Sequence, residues 1–130
     1  MVVTHGTLSG AGPSGAGCAV TIGNFDGVHR GHRALLDRVI AKGRELAIDS
    51  CVLTFEPQPR EYFARQSGQG ALAPRITRLR DKLDLMAAAG IDRVHVARFD
   101  RAFASLPAPR FVEDVLVRGL RTRWLAVGRD

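Results

Sequence analysis

The chain has 130 residues, of which 45% are hydrophobic and 25% are charged, as in one globular domain rather than a disordered chain. It has no apolar run near the roughly 18 residues of a membrane-spanning helix. It also lacks a secretory leader pattern, so we predict a cytoplasmic protein without a membrane partner. The sequence has 19 lysine and arginine residues and 13 aspartate and glutamate residues. These cations are scattered rather than gathered in a basic tail, so a solvated arginine-rich surface is the favoured interpretation. The positive charge is compatible with an anionic partner, and no nucleic-acid partner is predicted.

The amino-terminal stretch from Met1 to Gly17 is rich in glycine, which loses much conformational freedom on ordering. We therefore predict that residues 1–17 are a flexible lead-in to a single domain over residues 18–130. Cys18 to Ile22 is apolar on both faces, as expected of a buried parallel strand. The other cysteine, Cys51, lies in the next predicted strand. Neither cysteine has metal-ligand spacing, so both are predicted to be small buried hydrophobic residues, and zinc is not favoured.

Strand and helix patterns alternate from Cys18 to the end of the chain. The further predicted strands are Ser50–Phe55, Arg93–Phe99 and Arg123–Val127. A first helix begins near Gly31, and the other predicted helical stretches are Arg60–Arg65, Arg78–Ala89 and Arg110–Arg118, the last with an inward stripe of Phe111, Val112, Val115 and Leu116. This alternation with short connections predicts the α/β class, with a parallel sheet and helices on both of its faces.

Local signals mark some of the helix boundaries. Thr77 is a good N-cap for the helix that follows it, and Gly90 is typical of a C-cap. Pro109 favours the first position of the last helix. Gly43 is expected to weaken the first helix near its end, because glycine is a poor helix former.

Parallel strands place their carboxyl ends at one edge of the sheet, where ligands bind in open α/β folds. The residues at or just after the ends of the predicted strands are therefore candidates for one cleft, namely Gly23–Asp26, Phe55–Pro59, Phe99–Asp100 and Gly128–Asp130.

The turn between the first strand and the first helix carries the strongest chemical signal. Helix N-termini present unpaired N–H groups and a partial positive charge, so this turn is a natural anion site. His29 and His32 flank Gly31 there, and Gly23 and Gly27 let the backbone approach a ligand closely. Donors aimed at phosphate oxygens suit phosphoryl or nucleotidyl transfer. A pair of surface or capping histidines is the alternative.

Other phosphate-binding motifs are missing from this turn, and nucleophilic motifs are missing from the sequence. The turn contains neither GxxxxGK[ST] nor GxGxxG. No serine or cysteine lies in an elbow motif with a basic partner. The two histidines lack a third metal ligand at a defined spacing.

The run Thr21-Ile-Gly-Asn-Phe-Asp-Gly-Val-His-Arg-Gly-His32 contains His-Arg-Gly-His, which resembles the HxGH signature of nucleotidyltransferases. As a whole the run resembles the prokaryotic bifunctional riboflavin kinase/FMN adenylyltransferase family, the FAD synthetases. Further stretches resemble the same family in the same order, namely Thr54–Phe63, Ile76–Leu85, Phe111–Leu116 and Val127–Asp130. The resemblance implies a Rossmann-like fold of the nucleotidyltransferase type.

The resemblance also implies a reaction, the transfer of AMP from ATP to FMN with Mg²⁺, giving FAD and pyrophosphate. His29 and His32 would be catalytic and hold the ATP phosphates. The nucleotide pocket would be lined by Gly23, Asn24, Phe25, Asp26 and Gly31. The flavin and metal side would include Phe55, Pro57, Gln58, Pro59 and Asp130. The metal ligands and the oligomeric state are not predicted.

The sequence departs from the family in two places. Gln58 stands where the family usually has the histidine of a Pro-His-Pro motif, so a proton-shuttling role is lost there, although an amide still forms hydrogen bonds. The chain ends at Asp130 in the middle of a family motif. We therefore expect a C-terminally incomplete adenylyltransferase domain that is weak or inactive alone, with the family's separate riboflavin kinase domain absent.

Two alternatives differ in function. One is another HxGH nucleotidyltransferase, acting on a cytidylyl or pantetheine-phosphate substrate. The other is a non-catalytic nucleotide-binding or nucleic-acid-binding module, whose affinity for nucleic acid would fall steeply with salt.

Overall fold

The computed structural model describes residues 1–6, 17–25, 30–68 and 78–128. These residues form a five-stranded sheet in the order β1-β4-β3-β2-β5, and every pair of neighbouring strands is parallel. The strands are β1 (Val2–His5), β2 (Cys18–Ile22), β3 (Asp49–Glu56), β4 (Arg93–Arg98) and β5 (Thr122–Val127). The predicted parallel sheet is confirmed.

Helices connect the strands of this sheet. They are α1 (Arg30–Leu46), α2 (Pro59–Gln66), α3 (Leu79–Ala89), α4 (Arg101–Ala104) and α5 (Ala108–Arg110), and α5 continues into a π-helical segment, Phe111–Gly119. Gly90 closes α3 in the left-handed conformation, with φ of 101°, as its C-cap position predicts. None of the described helices has the length and apolar character of a membrane span.

The sheet has a hydrophobic core on each face. On one face, helices α1 and α3 pack on the strands through Leu36, Val39, Ile40 and Met86. On the other face, the π segment packs through Val115 and Leu116 against strand residues that include both cysteines. Cys18 and Cys51 are free and buried, as predicted. Helices therefore cover both faces of the sheet.

The prediction of a flexible lead-in is wrong for the first residues of the chain. Val2–His5 form the edge strand β1, which pairs with β4. The Val2 N–H donates to the Asp92 carbonyl at 2.9 Å, and the Gly6 N–H donates to the Val96 carbonyl at 3.0 Å. Most β1 side chains are exposed, so the sequence of this strand has only a weak hydrophobic pattern. Pairing with β4 therefore orders the strand. Residues 7–16 lie outside the described residues.

The last helix differs from its prediction in geometry. It begins at Ala108, and from Phe111 it follows π geometry, in which each backbone N–H donates to the carbonyl five residues earlier. Accordingly the Leu120 N–H donates to the Val115 carbonyl at 2.9 Å. Val112 was predicted to face inward but is 48% exposed, because the wider turn rotates it away from the sheet.

The other boundary predictions differ from the structure by a residue or two. Arg78 is the N-cap of α3, while the predicted cap, Thr77, lies outside the described residues. The predicted strand Arg93–Phe99 ends at Arg98. The predicted helical turn over Arg60–Arg65 is confirmed as α2.

Candidate active site

The carboxyl end of β2 lies at the point where the sheet changes its direction of winding. Strand β2 pairs with β3 on one side and with β5 on the other. The connection to β3 runs through α1 on one face, while β5 is reached through the π segment on the opposite face. Open α/β sheets bind ligands in the crevice at such a switch point. The loop from Gly23 to Phe25 lies at this crevice, where the sequence predicts the site.

The loop after β2 is held closely against the sheet. The Gly23 N–H donates to the Leu53 carbonyl at 3.1 Å. Phe25 has a φ of 53°, in the left-handed region, and its ring is only 2% exposed. A Cβ atom on Gly23 would lie 3.0 Å from the Phe25 ring, so a side chain at that position would have to displace the buried ring by a few tenths of an ångström.

The Phe25 ring also contacts the helix that follows. Its centroid lies 5.2 Å from that of the His32 ring, with an interplanar angle of 63°, a T-shaped contact. His32 lies in the first turn of α1, which has no acidic side chain to compete with an anionic ligand for the backbone N–H groups. The half-buried imidazole is therefore held at a helix N-terminus, where a phosphate is favoured.

Lys82 is a residue of this site that the sequence analysis missed. It lies on α3 and is fully buried. Its ammonium donates to the Asn24 carbonyl at 2.6 Å and to the Thr54 hydroxyl at 3.1 Å. A signal was present in the sequence, since Lys82 lies three residues after Leu79 and four before Met86, on the helix face that packs on the sheet.

The side chain of Asn24 has an unusual environment. Its Oδ1 atom is buried, and no described residue donates a hydrogen bond to it. Buried polar atoms normally have a partner. This oxygen is therefore a candidate contact for a ligand in the crevice.

The segment after β3 contributes three of the predicted residues in buried or half-buried positions. Gln58 is 1% exposed, and its backbone N–H donates to the Glu61 carboxylate at 2.8 Å. The Gln58 Nε2 atom has no hydrogen-bond partner among the described residues. Pro57 precedes it, and Pro59 begins α2. The family's histidine position is thus occupied by a buried amide.

Phe55 belongs to a larger group of rings that the sequence analysis did not find. Ring centroids within this aromatic cluster lie 5.3 to 5.9 Å apart. Its members lie near the end of β3, directly after β4, or on α2, α4 and the π segment, namely Phe55, Tyr62, Phe63, Phe99, Phe103 and Phe111. Only the tertiary structure joins these rings, although Phe55 and Phe99 each lie at a predicted strand end.

Three of the predicted site residues lie outside the described residues, namely Asp26, His29 and Asp130. Gly31 is exposed in the first turn of α1, next to His32. Of the two predicted catalytic histidines, the structure describes His32.

A separate cavity of about 220 Å³ lies at the carboxyl ends of β1 and β4, lined in part by His95. His95 Nε2 lies 3.0 Å from the Gly6 carbonyl, and Nδ1 lies 2.7 Å from the Thr4 hydroxyl. Since a carbonyl only accepts, Nε2 carries the hydrogen in the neutral ring and Nδ1 accepts from Thr4. Burial lowers the pKa of His95, which favours this neutral form.

Comparison with known proteins places this geometry in a family. The model of the FAD synthetase family matches residues 13–130. The chain is 52% identical over 114 residues to a bifunctional riboflavin kinase/FMN adenylyltransferase of Escherichia coli K12. The matched region covers 88% of this chain and 35% of that protein. It is 44% identical over 118 residues to the protein of the same description in Pseudomonas fluorescens, covering 91% of this chain and 36% of that protein. The chain thus spans about a third of the length of these curated relatives.

A solved structure shares the fold. The crystal structure of a macrolide-efflux protein from Streptococcus pneumoniae superposes with a TM-score of 0.81 at 18% sequence identity, covering 98% of this chain and 42% of that one. At this identity the likeness concerns the fold alone. The family match covers nearly the whole chain and includes the strand, turn and helix of the crevice, and the chain belongs to the FAD synthetase family.

Proposed function

We propose that this chain is the adenylyl-transfer part of an FAD synthetase. In the proposed reaction a phosphate oxygen of FMN attacks the α-phosphorus of ATP, pyrophosphate leaves, and FAD forms. The observation that carries the proposal is the His32 imidazole, held at the N-terminus of α1 against the Phe25 ring beside the switch-point crevice. This placement suits the polyphosphate of a nucleotide.

The proposed chemistry needs positioning and charge stabilisation rather than a nucleophile on the protein. His32 and His29 would donate hydrogen bonds to the ATP phosphates, where negative charge builds up as pyrophosphate leaves. The N–H groups of the first turn of α1 would add to this charge stabilisation. Gly23, Phe25 and Gly31 would line the nucleotide pocket, because they follow β2 or begin α1.

Mg²⁺ is proposed to accompany the ATP phosphates. Among the described residues no group of three histidine, cysteine, aspartate or glutamate side chains is placed to hold a metal. The buried Asn24 Oδ1 fits a cation that prefers oxygen ligands and that usually takes most of them from phosphates and water. Bound there, Mg²⁺ would neutralise phosphate charge. Asp130 remains a prediction for the flavin and metal side, and Asp26 remains a prediction for the nucleotide pocket.

The flavin is proposed to bind beyond the carboxyl end of β3. Phe55, the penultimate residue of β3, belongs to the aromatic cluster at this end of the strand, and Phe63 of the same cluster is 54% exposed. A planar heteroaromatic ring stacks favourably on such side chains. The buried Gln58 amide, whose Nε2 has no partner among the described residues, would supply a polar contact at the same end of β3.

Equilibrium binding of ATP with Mg²⁺ tests the nucleotide assignment. We expect this chain to bind ATP and the variants His32→Ala and His29→Ala to bind it at least about tenfold more weakly, the loss expected for one charge-assisted hydrogen bond. His5→Ala is the matched control, because His5 is exposed on β1. Equal binding by all of these variants would contradict the assignment.

A substrate panel tests the reaction. We expect FAD to form from FMN and ATP in a chain of the relatives' full length, with weak or no turnover by residues 1–130 alone. Removing either histidine in the longer chain should lower turnover by about 10²–10³, by analogy with oxyanion-hole donors. Transfer to a pantetheine phosphate, or from CTP, would instead favour a different nucleotidyltransferase.

The name of the relatives includes a second activity, riboflavin kinase. We propose that this activity belongs to a domain separate from residues 18–130. A cytoplasmic location and the lack of a nucleic-acid partner stay predictions of the sequence. Retention on DNA at low salt would contradict the second of these.

A further inference from the structure

Lys82 joins α3 to the loop after β2 from inside the protein. The side chain is fully buried, and its ammonium donates to the Asn24 carbonyl at 2.6 Å and to the Thr54 hydroxyl at 3.1 Å. A buried ammonium is strongly unfavourable unless its N–H groups are hydrogen-bonded. The lysine and the Asn24 carbonyl therefore hold one another in place.

The direction of the Asn24 carbonyl controls the backbone of the next residue. Asn24 and Phe25 share one planar peptide unit, so turning this carbonyl changes φ of Phe25. That φ is 53°, a left-handed conformation that is disfavoured about tenfold for a residue with a Cβ atom. The Thr54 hydroxyl, 3.5 Å from the same carbonyl, supports this orientation. Lys82 thus stabilises a backbone conformation that Phe25 would otherwise leave.

The conformation of Phe25 in turn decides where its ring lies. The ring is buried in the core on the α1 face of the sheet, and its edge-to-face contact with the His32 ring has a centroid distance of 5.2 Å. If φ of Phe25 returned to the negative range, the ring would leave this contact. The His32 ring would then lose a neighbour that restricts its orientation.

We propose that Lys82 is a positioning residue that holds the His32 imidazole in place through the Asn24 carbonyl and the Phe25 ring. The coupling follows from the described contacts alone. Its consequence for nucleotide binding rests on the proposed function, because that function makes His32 a ligand of the ATP phosphates. Lys82 itself acts through these residues and needs no contact with the nucleotide.

The ring resonances of His32 in nuclear magnetic resonance spectra test the coupling directly. They are assigned with His32→Ala, and they report the neighbouring Phe25 ring through its ring current. We expect Lys82→Met to shift these resonances. Lys42→Met is the matched control, since Lys42 is the chain's other lysine, on α1, and pairs with Glu45 at 3.1 Å. Unchanged His32 resonances in a folded Lys82→Met variant would overturn the proposal.

A second variant covers the case in which Lys82→Met does not fold. Thr54→Val removes a hydroxyl that contacts both Lys82 and Asn24 but keeps the side-chain shape. It should shift the His32 resonances in the same direction by a smaller amount. If they stay in place in a folded Thr54→Val variant while Lys82→Met does not fold, Lys82 is a structural residue only and the proposal fails.

Binding of ATP separates this proposal from the proposed function. If the conformation that positions His32 becomes about tenfold less populated, the apparent affinity for ATP falls by about the same factor. We therefore expect about tenfold weaker binding by Lys82→Met and unchanged binding by Lys42→Met. Shifted His32 resonances with full ATP affinity in both Lys82→Met and His32→Ala would support the coupling and contradict the proposed function.

Discussion

Asp92 and Ser50 are joined by three hydrogen bonds at the amino ends of β4 and β3. The Ser50 N–H and hydroxyl donate to the Asp92 Oδ2 atom at 2.9 and 3.1 Å, and the Asp92 N–H donates to the Ser50 Oγ atom at 3.0 Å. Ser50 is fully buried. This cluster ties neighbouring strands together at the edge of the sheet opposite the crevice.

Ser50→Ala is therefore expected to destabilise the protein without changing its site. It removes two of the three bonds and leaves the Asp92 N–H without its acceptor, which typically costs about 1–3 kcal/mol. Chemical denaturation measures the loss, and Ser105→Ala, an exposed serine after α4, is the control. ATP affinity should match that of the unmodified chain. A Ser50→Ala variant as stable as the control would contradict the prediction.

Gly43→Ala is expected to destabilise the protein, although alanine has a higher helix propensity than glycine. Helix propensity alone predicts a gain of about 1 kcal/mol for alanine over glycine in α1. However, a Cβ on Gly43 would lie 2.9 Å from the Ile48 carbonyl oxygen and 3.3 Å from the Ser50 nitrogen, where the chain turns back into β3. Such overpacking typically costs about 1–3 kcal/mol.

Thermal unfolding of Gly43→Ala gives the sign of this effect. Ala41→Gly, at an exposed position two residues earlier on α1, is the matched control. It should lower the free energy of unfolding by about 1 kcal/mol, the difference in helix propensity between alanine and glycine. If Gly43→Ala instead raises the melting temperature, the close approach of β3 to α1 is contradicted.

Gly23 and Phe25 are expected to show coupled effects on ATP binding. Gly23→Ala would place a Cβ 3.0 Å from the Phe25 ring and displace that ring from His32. Phe25→Leu shortens the side chain and removes the clash, although the ring contact with His32 is lost as well. A double-mutant cycle on the ATP dissociation constant should therefore be non-additive, with the double variant no weaker than Phe25→Leu within about 0.5 kcal/mol. Additive losses would show that the two positions act independently.

His95 is expected to make stability depend on pH just below neutrality. Burial and the charge of His5 lower its pKa, whereas the Gly6 carbonyl opposes this, and Arg98, Asp100 and Asp114 line the same cavity. Since the folded pKa lies below the unfolded value of about 6.5, the unfolded chain binds more protons between the two values. The free energy of unfolding that depends on neutral His95 is therefore at its full value above about pH 6.5. It decreases as the pH falls from there toward the pKa of His95 in the folded protein.

Unfolding of the chain and of His95→Gln between pH 5 and about pH 8 checks this dependence. Glutamine does not titrate, and the other histidines are common to both proteins, so the chain should lose more stability on acidification than the variant. Direct titration of the His95 ring resonances should give a midpoint below about 6.5. A midpoint above that value would reverse the sign and contradict the prediction.

Much of the fold was accessible from the sequence because the signals are local. The buried strand Cys18–Ile22 is apolar on both faces, and the helix after it repeats its apolar residues at helical spacing. The turn between them carries the motif that resembles the FAD synthetases, and the family match confirms that resemblance. Periodicity, capping residues and a short motif each depend on neighbours within a few positions of the chain.

The sequence by itself thus determined the α/β class, the parallel sheet and the family, and it predicts a site at the carboxyl end of β2. The tertiary structure alone decided the edge strand Val2–His5, the buried Lys82, the aromatic cluster and the restraint on Gly43. Each of these depends on a partner far along the chain: β1 pairs with β4, and Lys82 bonds to Asn24, 58 residues earlier. Patterns within one element do not record such contacts, since burial and hydrogen bonding of a side chain are set by whatever the fold brings beside it.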